Sequence, residues 1–287
     1  MRKKIAAMLL VGAVAAVGTV GLTSCGISVN SGSEVSSEAE WKQAFENSLN
    51  AENYTLDYFV LLESSVSYKS VLSGERISAD LRGETSGKTV CDYSGGKIYF
   101  EYSAANESKQ IRDGNETYEK SNEKNQGYIE YDGDNRLQAR YSYKNYDGSD
   151  GKETTETYWS AVSGTDLSYN SVSVLNESYS ASKTGLSAKL SELYSSFVYE
   201  GGFYTANLWT WFAGTDVTGS ILSEVKVTIA IKDGYVVGYQ ADIKTDKKDG
   251  EDYNRSSGKT IYNFGNYGRT SVKAPKEAIK AIEKLKS

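Results

Sequence analysis

Histidine is absent from this 287-residue chain. Its absence excludes Ser-His-Asp and Cys-His catalysis, His-ligated zinc and a histidine proton shuttle. Cysteine occurs only twice, too few for a zinc ribbon, an iron–sulfur cluster or a disulfide framework. A single proline stands against 27 glycines, so proline-rich linkers and polyproline modules are out. Thirty-two basic residues face 38 acidic ones, a net charge of −6. That balance gives no reason to expect nucleic acid as a partner. No G-x-S-x-G elbow, phosphate-binding P-loop or G-x-G-x-x-G run occurs. Paired carboxylates for glycoside hydrolysis can come from distant strands, and nothing singles out a pair. The expectation is a protein without catalytic residues and without a cofactor.

What the sequence does contain begins with an address. Arg2, Lys3 and Lys4 precede an uncharged run from Ile5 to Val20, apolar or glycine apart from Thr19, and Leu22-Thr23-Ser24-Cys25 follows. This order resembles the signal peptide and lipobox of bacterial lipoproteins. The resemblance implies cleavage after residue 24 and a diacylglyceryl group on Cys25, anchoring the chain to the outer leaflet of the cell membrane. An uncleaved anchor, with about 18 apolar residues near the spanning minimum, and an ordinary secretory signal are the competing readings. Both leave Cys25 a coincidence. Removal of residues 1–24 would leave 29 basic against 38 acidic residues, a net charge of −9. Such a domain is repelled by an anionic bilayer. Residues 25–37, rich in Ser and Gly, suit a flexible tether. Cys91 then stands as the remaining thiol. With no basic residue closer than Lys88 to lower its pKa, it reads as a small buried apolar side chain.

Residues 38–287 read as one β-rich domain. Ser37-x-x-Glu40 is a capping-box pattern, and Trp41, Ala44, Phe45, Ser48 and Leu49 recur at helical spacing. Asn50 and Asn53 stop that helix. Short alternating runs then follow, clearest at Arg76–Arg82, Lys88–Tyr93, Lys97–Tyr102, Tyr128–Tyr131 and Leu137–Tyr143. The dipeptides Gly95-Gly96, Asp113-Gly114, Asp132-Gly133, Asp147-Gly148 and Asp150-Gly151 predict tight hairpins and an antiparallel sheet. Leu186, Leu190, Leu193, Tyr194 and Phe197 predict a middle helix ended by Gly201-Gly202. Val225–Lys232, turned by Asp233-Gly234, is the strongest hairpin, and Lys259–Phe264 is a last strand. Pro275 opens a C-terminal helix whose predicted apolar stripe is Ile279, Ile282 and Leu285.

The order of these parts resembles lipoproteins of the LolA/LppX-like fold. It runs from a tethered helix with a Trp into Asn53-Tyr54-Thr55-Leu56. Many strands follow, with one helix among them. The end is Lys232-Asp233-Gly234, Tyr262-x-Phe264-x-x-Tyr267-Gly268 and Val272-x-Ala274-Pro275. The resemblance implies an α+β, mainly antiparallel fold: a strongly curved sheet, or incomplete β-barrel, closed by about three helices. It also implies an acyl-holding space.

Candidate ligand-binding residues are Trp159, Phe203, Trp209, Trp211 and Phe212, which could line such a space or serve as ordinary core. The acidic groups at Asp147–Asp150 and Asp246–Asp252 do not match calcium-loop spacing and read as hairpin tips, so no metal is expected. The leading expectation is a non-catalytic surface lipoprotein holding an apolar ligand such as lipid. The alternative is a cell-envelope module that binds glycan or a protein partner through a Tyr-rich sheet face.

Overall fold

The computed structural model describes residues 28–71, 73–132, 135–163, 190–208 and 222–287. The chain enters helix α1, Glu38–Leu49, through a cap that the sequence prescribes. The Glu40 amide donates to Ser37 Oγ at 3.3 Å, and the Glu40 carboxylate accepts from the Ser36 amide at 2.7 Å. Helix α1 buries Trp41, Ala44, Phe45 and Ser48, the face that the periodicity predicts.

Eleven strands follow, all paired antiparallel in one sheet. They are β1 (Asn53–Lys69), β2 (Arg76–Asp92), β3 (Lys97–Arg112), β4 (Asn115–Asp132), β5 (Asn135–Gly148), β6 (Gly151–Ser163), β7 (Val198–Glu200), β8 (Phe203–Asn207), β9 (Leu222–Lys232), β10 (Tyr235–Asp249) and β11 (Asp252–Gly265). Their order is β6-β5-β4-β3-β2-β1-β11-β10-β9-β8-β7. Strands consecutive in sequence pair with one another except β6 and β7, which are the two ends of the sheet order, and β1 pairs with β11. Tight turns enforce this order. Asp113-Gly114 has φ of 49° and 75°, and Asp233-Gly234 has 52° and 75°. Two consecutive left-handed residues form the turn whose twist matches a hairpin.

The strands run longer than their alternating patterns. Strand β4 is 18 residues, yet only Tyr128–Tyr131 reads as a strand in sequence. The reason is burial. Along β3 buried and half-buried positions alternate over the first half, and the last four residues are exposed. Where neither face meets a core, selection for period-two alternation disappears.

Two helices, not about three, occur among the described residues, and they do not close one open side of the sheet. The middle helix is the error. Of its predicted span, the described part holds helical residues only at Leu190 and Ser191, then a 3-10 turn at Tyr194–Ser196, then β7. The i, i+3 spacing of Leu190, Leu193 and Tyr194 fits either form. Gly201 and Gly202, at φ of 58° and 95°, turn the β7–β8 hairpin rather than end a helix.

Register also shows where the helices sit. Successive residues of a strand face opposite sides. Helix α1 packs on the side bearing Tyr204, Val227, Ile229 and Tyr239. The C-terminal helix α2, Lys276–Lys286, packs on the other side, against Tyr128, Leu137 and Ala139. Its contact face is Ala278, Ala281 and Ile282. Ile279 and Leu285, predicted as part of its apolar stripe, are exposed.

Candidate functional site

Trp41 fixes α1 to the sheet. It has no solvent exposure. Its ring lies 5.0 to 5.7 Å from those of Tyr204, Phe45, Phe197 and Tyr194. Its indole nitrogen donates to the Leu190 carbonyl at 3.2 Å. A second cluster, from Tyr54, Leu56 and Tyr58 to Ile98, Phe100 and Ile129, includes Cys91 at 1% exposure. Cys91 is the buried apolar thiol that its surroundings in sequence suggest.

Some tyrosines lie on an exposed face, such as Tyr118 and Tyr158, and others are core. Tyr239, Tyr262, Tyr58 and Tyr102 fall in one cross-strand row, with Gly87 between the last two. A Cβ on Gly87 would meet the Tyr58 hydroxyl at 2.5 Å. Burial pushes the Tyr58 and Tyr239 hydroxyls well above the usual tyrosine range. These rings are core, and they stay protonated.

Of the sequence-predicted ligand residues, Trp159 lies beside Tyr141, with ring centroids 6.2 Å apart, in the cluster under α2. Phe203 is half-buried at the start of β8. They belong to strands at opposite ends of the sheet order, and Phe203 is not part of the Trp159 cluster. Trp209, Trp211, Phe212 and the lipidation candidate Cys25 lie outside the described residues.

The N-terminal segment is docked on the sheet. The Asn30 amide donates to Asn263 Oδ1 at 2.7 Å, and Asn263 Nδ2 donates to the Ser28 carbonyl at 2.9 Å. Gly32 and Ser33 donate to the carbonyls of Gly202 and Ile231, at 2.8 and 2.6 Å. Glycine permits the approach. A Cβ on Gly32 would fall 2.3 Å from the Ile231 carbonyl oxygen, and one on Gly238 would fall 2.7 Å from that of Asn30. Ser/Gly richness here serves close contact as well as polarity.

A cleft of about 670 Å³ lies farther along the strands, away from the apolar clusters. Register resolves its lining into three adjacent cross-strand rows, the middle one facing one side of the sheet and the two flanking ones the other. The middle row is Thr245, Ser256, Ser64, Leu81 and Ser108. One flanking row is Asp246, Arg255, Ser65, Asp80 and Lys109; the other is Lys244, Ser257, Glu63, Arg82 and Glu107. Tyr118 adds an aromatic ring.

Four acids and four bases line this cleft, and every one has a described partner. Arg82 pairs with Glu63 at 2.6 Å, Arg255 with Asp246 at 3.3 Å, Lys244 with Glu224 at 2.7 Å and Lys109 with Glu116 at 2.8 Å. Lys120 engages Glu107, and Asp80 accepts from the Ser65 hydroxyl at 2.6 Å. Thr245 and Ser256 hydroxyls lie 2.5 Å apart. Ser64 Oγ is buried with no partner. The side that carries the flanking rows therefore offers charge with no excess of either sign, the Ser65 and Ser257 hydroxyls and Tyr118, which is in register with Lys109; the Ser64 row faces the other side. Alternation hides it in the sequence, because the three rows come from five strands.

No family model matches the chain, and no curated protein matches it. Among solved structures, the translocator domain of autotransporter NalP from Neisseria meningitidis overlaps 78% of this chain and 93% of its own, at 9% identity and TM-score 0.30. A β-barrel-like protein from Brucella abortus, a domain of unknown function, overlaps 73% of this chain and 98% of its own, at 8% identity and TM-score 0.20. Neither similarity carries weight for function at these scores. Charged side chains stand on one side of this part of the sheet and a row of mainly hydroxyl side chains on the other, so neither side carries here the apolar band of a membrane-spanning barrel.

Proposed function

We propose that this protein is a lipid-anchored, extracytoplasmic module of the bacterial cell envelope that binds a neutral glycan in the polar cleft. The observation that carries this reading is the cleft's balanced, partnered charges with the Ser65 and Ser257 hydroxyls and Tyr118 on the same side of the sheet. A polyhydroxylated, uncharged ligand exchanges hydrogen bonds with such groups without unbalancing the ion pairs. Tyr118 offers a flat apolar face to a sugar ring. An acyl chain would instead leave those polar groups unsatisfied. The described apolar clusters are packed with the protein's own side chains. For these reasons we favour the glycan reading over lipid carriage, and we move the contact from a Tyr-rich face to the cleft.

The docked N-terminus supports an orientation. Three residue steps lead from Cys25 to Ser28, a reach of at most about 11 Å. A diacylglyceryl group on Cys25 would hold the Asn263 end of the sheet against the bilayer. The cleft row at Ser256 lies seven residues along β11 from Asn263, roughly 23 Å at ~3.3 Å per residue. The binding surface would then face the wall rather than the membrane.

Sedimentation of the full chain with purified peptidoglycan sacculi tests the reading. Binding should saturate and fall at least tenfold in Ser65→Tyr and Ser257→Trp, which place bulk on the charged side of the cleft, with far-UV circular dichroism unchanged. Absence of sedimentation overturns the glycan reading. So does an acyl lipid recovered at one-to-one stoichiometry by organic extraction of protein that does not bind sacculi. Palmitate labelling lost in Cys25→Ala tests the anchor separately.

A further inference from the structure

A second polar group lies on β5, apart from the cleft. Arg136, Gln138 and Arg140 alternate along the strand and so share one side of the sheet. Register places Gln138 beside Ile129 and Arg140 beside Gly127, on the side that carries Phe100 and Tyr102. Helix α2 covers the opposite side of the same strand, through Leu137 and Ala139. It therefore does not screen these three residues.

Two of them hold donors with nothing to accept. Gln138 is 6% exposed, and its Nε2 has no partner. Arg136 Nε is also buried and without a partner. Among the described residues Arg136 has no carboxylate at ion-pair distance. The first described acid along that side of β4 is Glu123, opposite Lys144, and Lys144 and Asn125 already engage it at 3.4 Å each. Arg140 adds a second positive charge. Burial disfavours its ionised form, the Tyr102 oxygen offsets this in part, and the like charge of Arg136 adds a smaller push the same way as burial.

A buried amide donor without an acceptor is destabilising by the full desolvation of that group. Two guanidinium groups on one strand face add electrostatic repulsion. A single anion relieves both. A carboxylate presents two oxygens, whereas a phosphoryl group presents three or four and carries the charge to match two arginines. Guanidinium forks are the preferred partners of such groups.

We propose that Arg136, Gln138 and Arg140 form a binding site for a phosphoryl group, either as free phosphate or as the phosphodiester of an envelope lipid or polymer. This site is independent of the glycan cleft, which is built from other strands and carries no net charge.

Isothermal titration of the full chain in detergent, in a phosphate-free buffer at fixed ionic strength, provides the test. One arm uses inorganic phosphate and the other glycerophosphoglycerol, a soluble diester headgroup. Saturable binding should appear in at least one arm and weaken tenfold or more in both Arg136→Gln and Gln138→Leu. Gln138→Leu keeps the side-chain volume and removes the unsatisfied amide, so its thermal midpoint should equal or exceed that of the parent. Tighter binding of the diester assigns the site to a headgroup or polymer, and tighter inorganic phosphate assigns it to the free ion. No saturable heat in either arm overturns the proposal. So does parental affinity in both variants when both melt normally.

Discussion

Replacing Trp41 by alanine should remove a large share of this domain's stability. The indole is fully buried, four aromatic rings surround it, and its N–H satisfies the Leu190 carbonyl. Truncating a buried Trp to Ala costs about 3–5 kcal/mol through lost transfer energy and the cavity left behind. The abandoned carbonyl adds about 1 kcal/mol. A loss of roughly 4–6 kcal/mol compares with about 5–15 kcal/mol for a whole domain. At an m-value of about 3 kcal/mol/M in urea, the midpoint should fall by roughly 1.3–2 M. Far-UV circular dichroism is the appropriate probe, since Trp fluorescence would change with the substitution itself. Trp41→Phe keeps a ring in place and loses the hydrogen bond, so its midpoint should fall by only about 0.3–0.7 M at the same m-value. A shift below about 0.3 M for Trp41→Ala, on the same scale, would refute the reading. It would mean that α1 rests on the sheet without fastening it.

Three further outcomes follow from other parts of the structure. Gly238→Val places methyl groups where the Asn30 carbonyl and Val29 now sit, so limited proteolysis should cut within residues 28–35 much faster than in the parent; equal rates would show that the segment is not held there. Cys91 should react with a thiol reagent only on unfolding, at least a hundredfold slower in native buffer than in urea, because it is 1% exposed; rapid native labelling would contradict its burial. The hydrogen bond from Lys286, at 2.9 Å, is the largest cause holding the Glu130 carboxyl below its usual pKa, with a further bond from the Tyr128 hydroxyl. A folded pKa below the unfolded value gives stability that is complete above the unfolded carboxylate range, near ~4.3, and lost as pH falls through the folded value. Glu130→Gln should therefore flatten the acid limb of the melting-temperature profile and leave a smaller difference at pH 3 than at pH 7. An unchanged acid limb would assign that pH dependence to other groups.

Particular elements show why some features were legible and others were not. Helix α1 was readable to the residue, because a capping serine, a glutamate three residues on and a periodic apolar face all act locally. The C-terminal helix was readable as a helix, but its buried face was not. Alanine at 278 and 281 lets the helix approach the sheet closely, and hydropathy ranks Ile279 and Leu285 above both. Leu190–Phe197 failed for a related reason. Spacings of three and four residues describe a helix, and they also describe apolar side chains of a turn and strand gathered around one tryptophan.

The sequence by itself determined the antiparallel hairpin order, since Asp-Gly and Gly-Gly turns commit the chain within a few residues. It also determined the catalytic chemistries excluded by the missing histidines. Only the tertiary structure decided which tyrosines became core, how the N-terminal segment lies on β9–β11, and where polar groups converge. The cleft joins residues from strands as distant as β3 and β10, and the Arg136–Gln138–Arg140 row acquires meaning only once helix α2 is seen to cover the other side. Turn chemistry acts between neighbours in the chain. Register, burial and unmet hydrogen bonds arise between neighbours in space, and one sequence does not show which those will be.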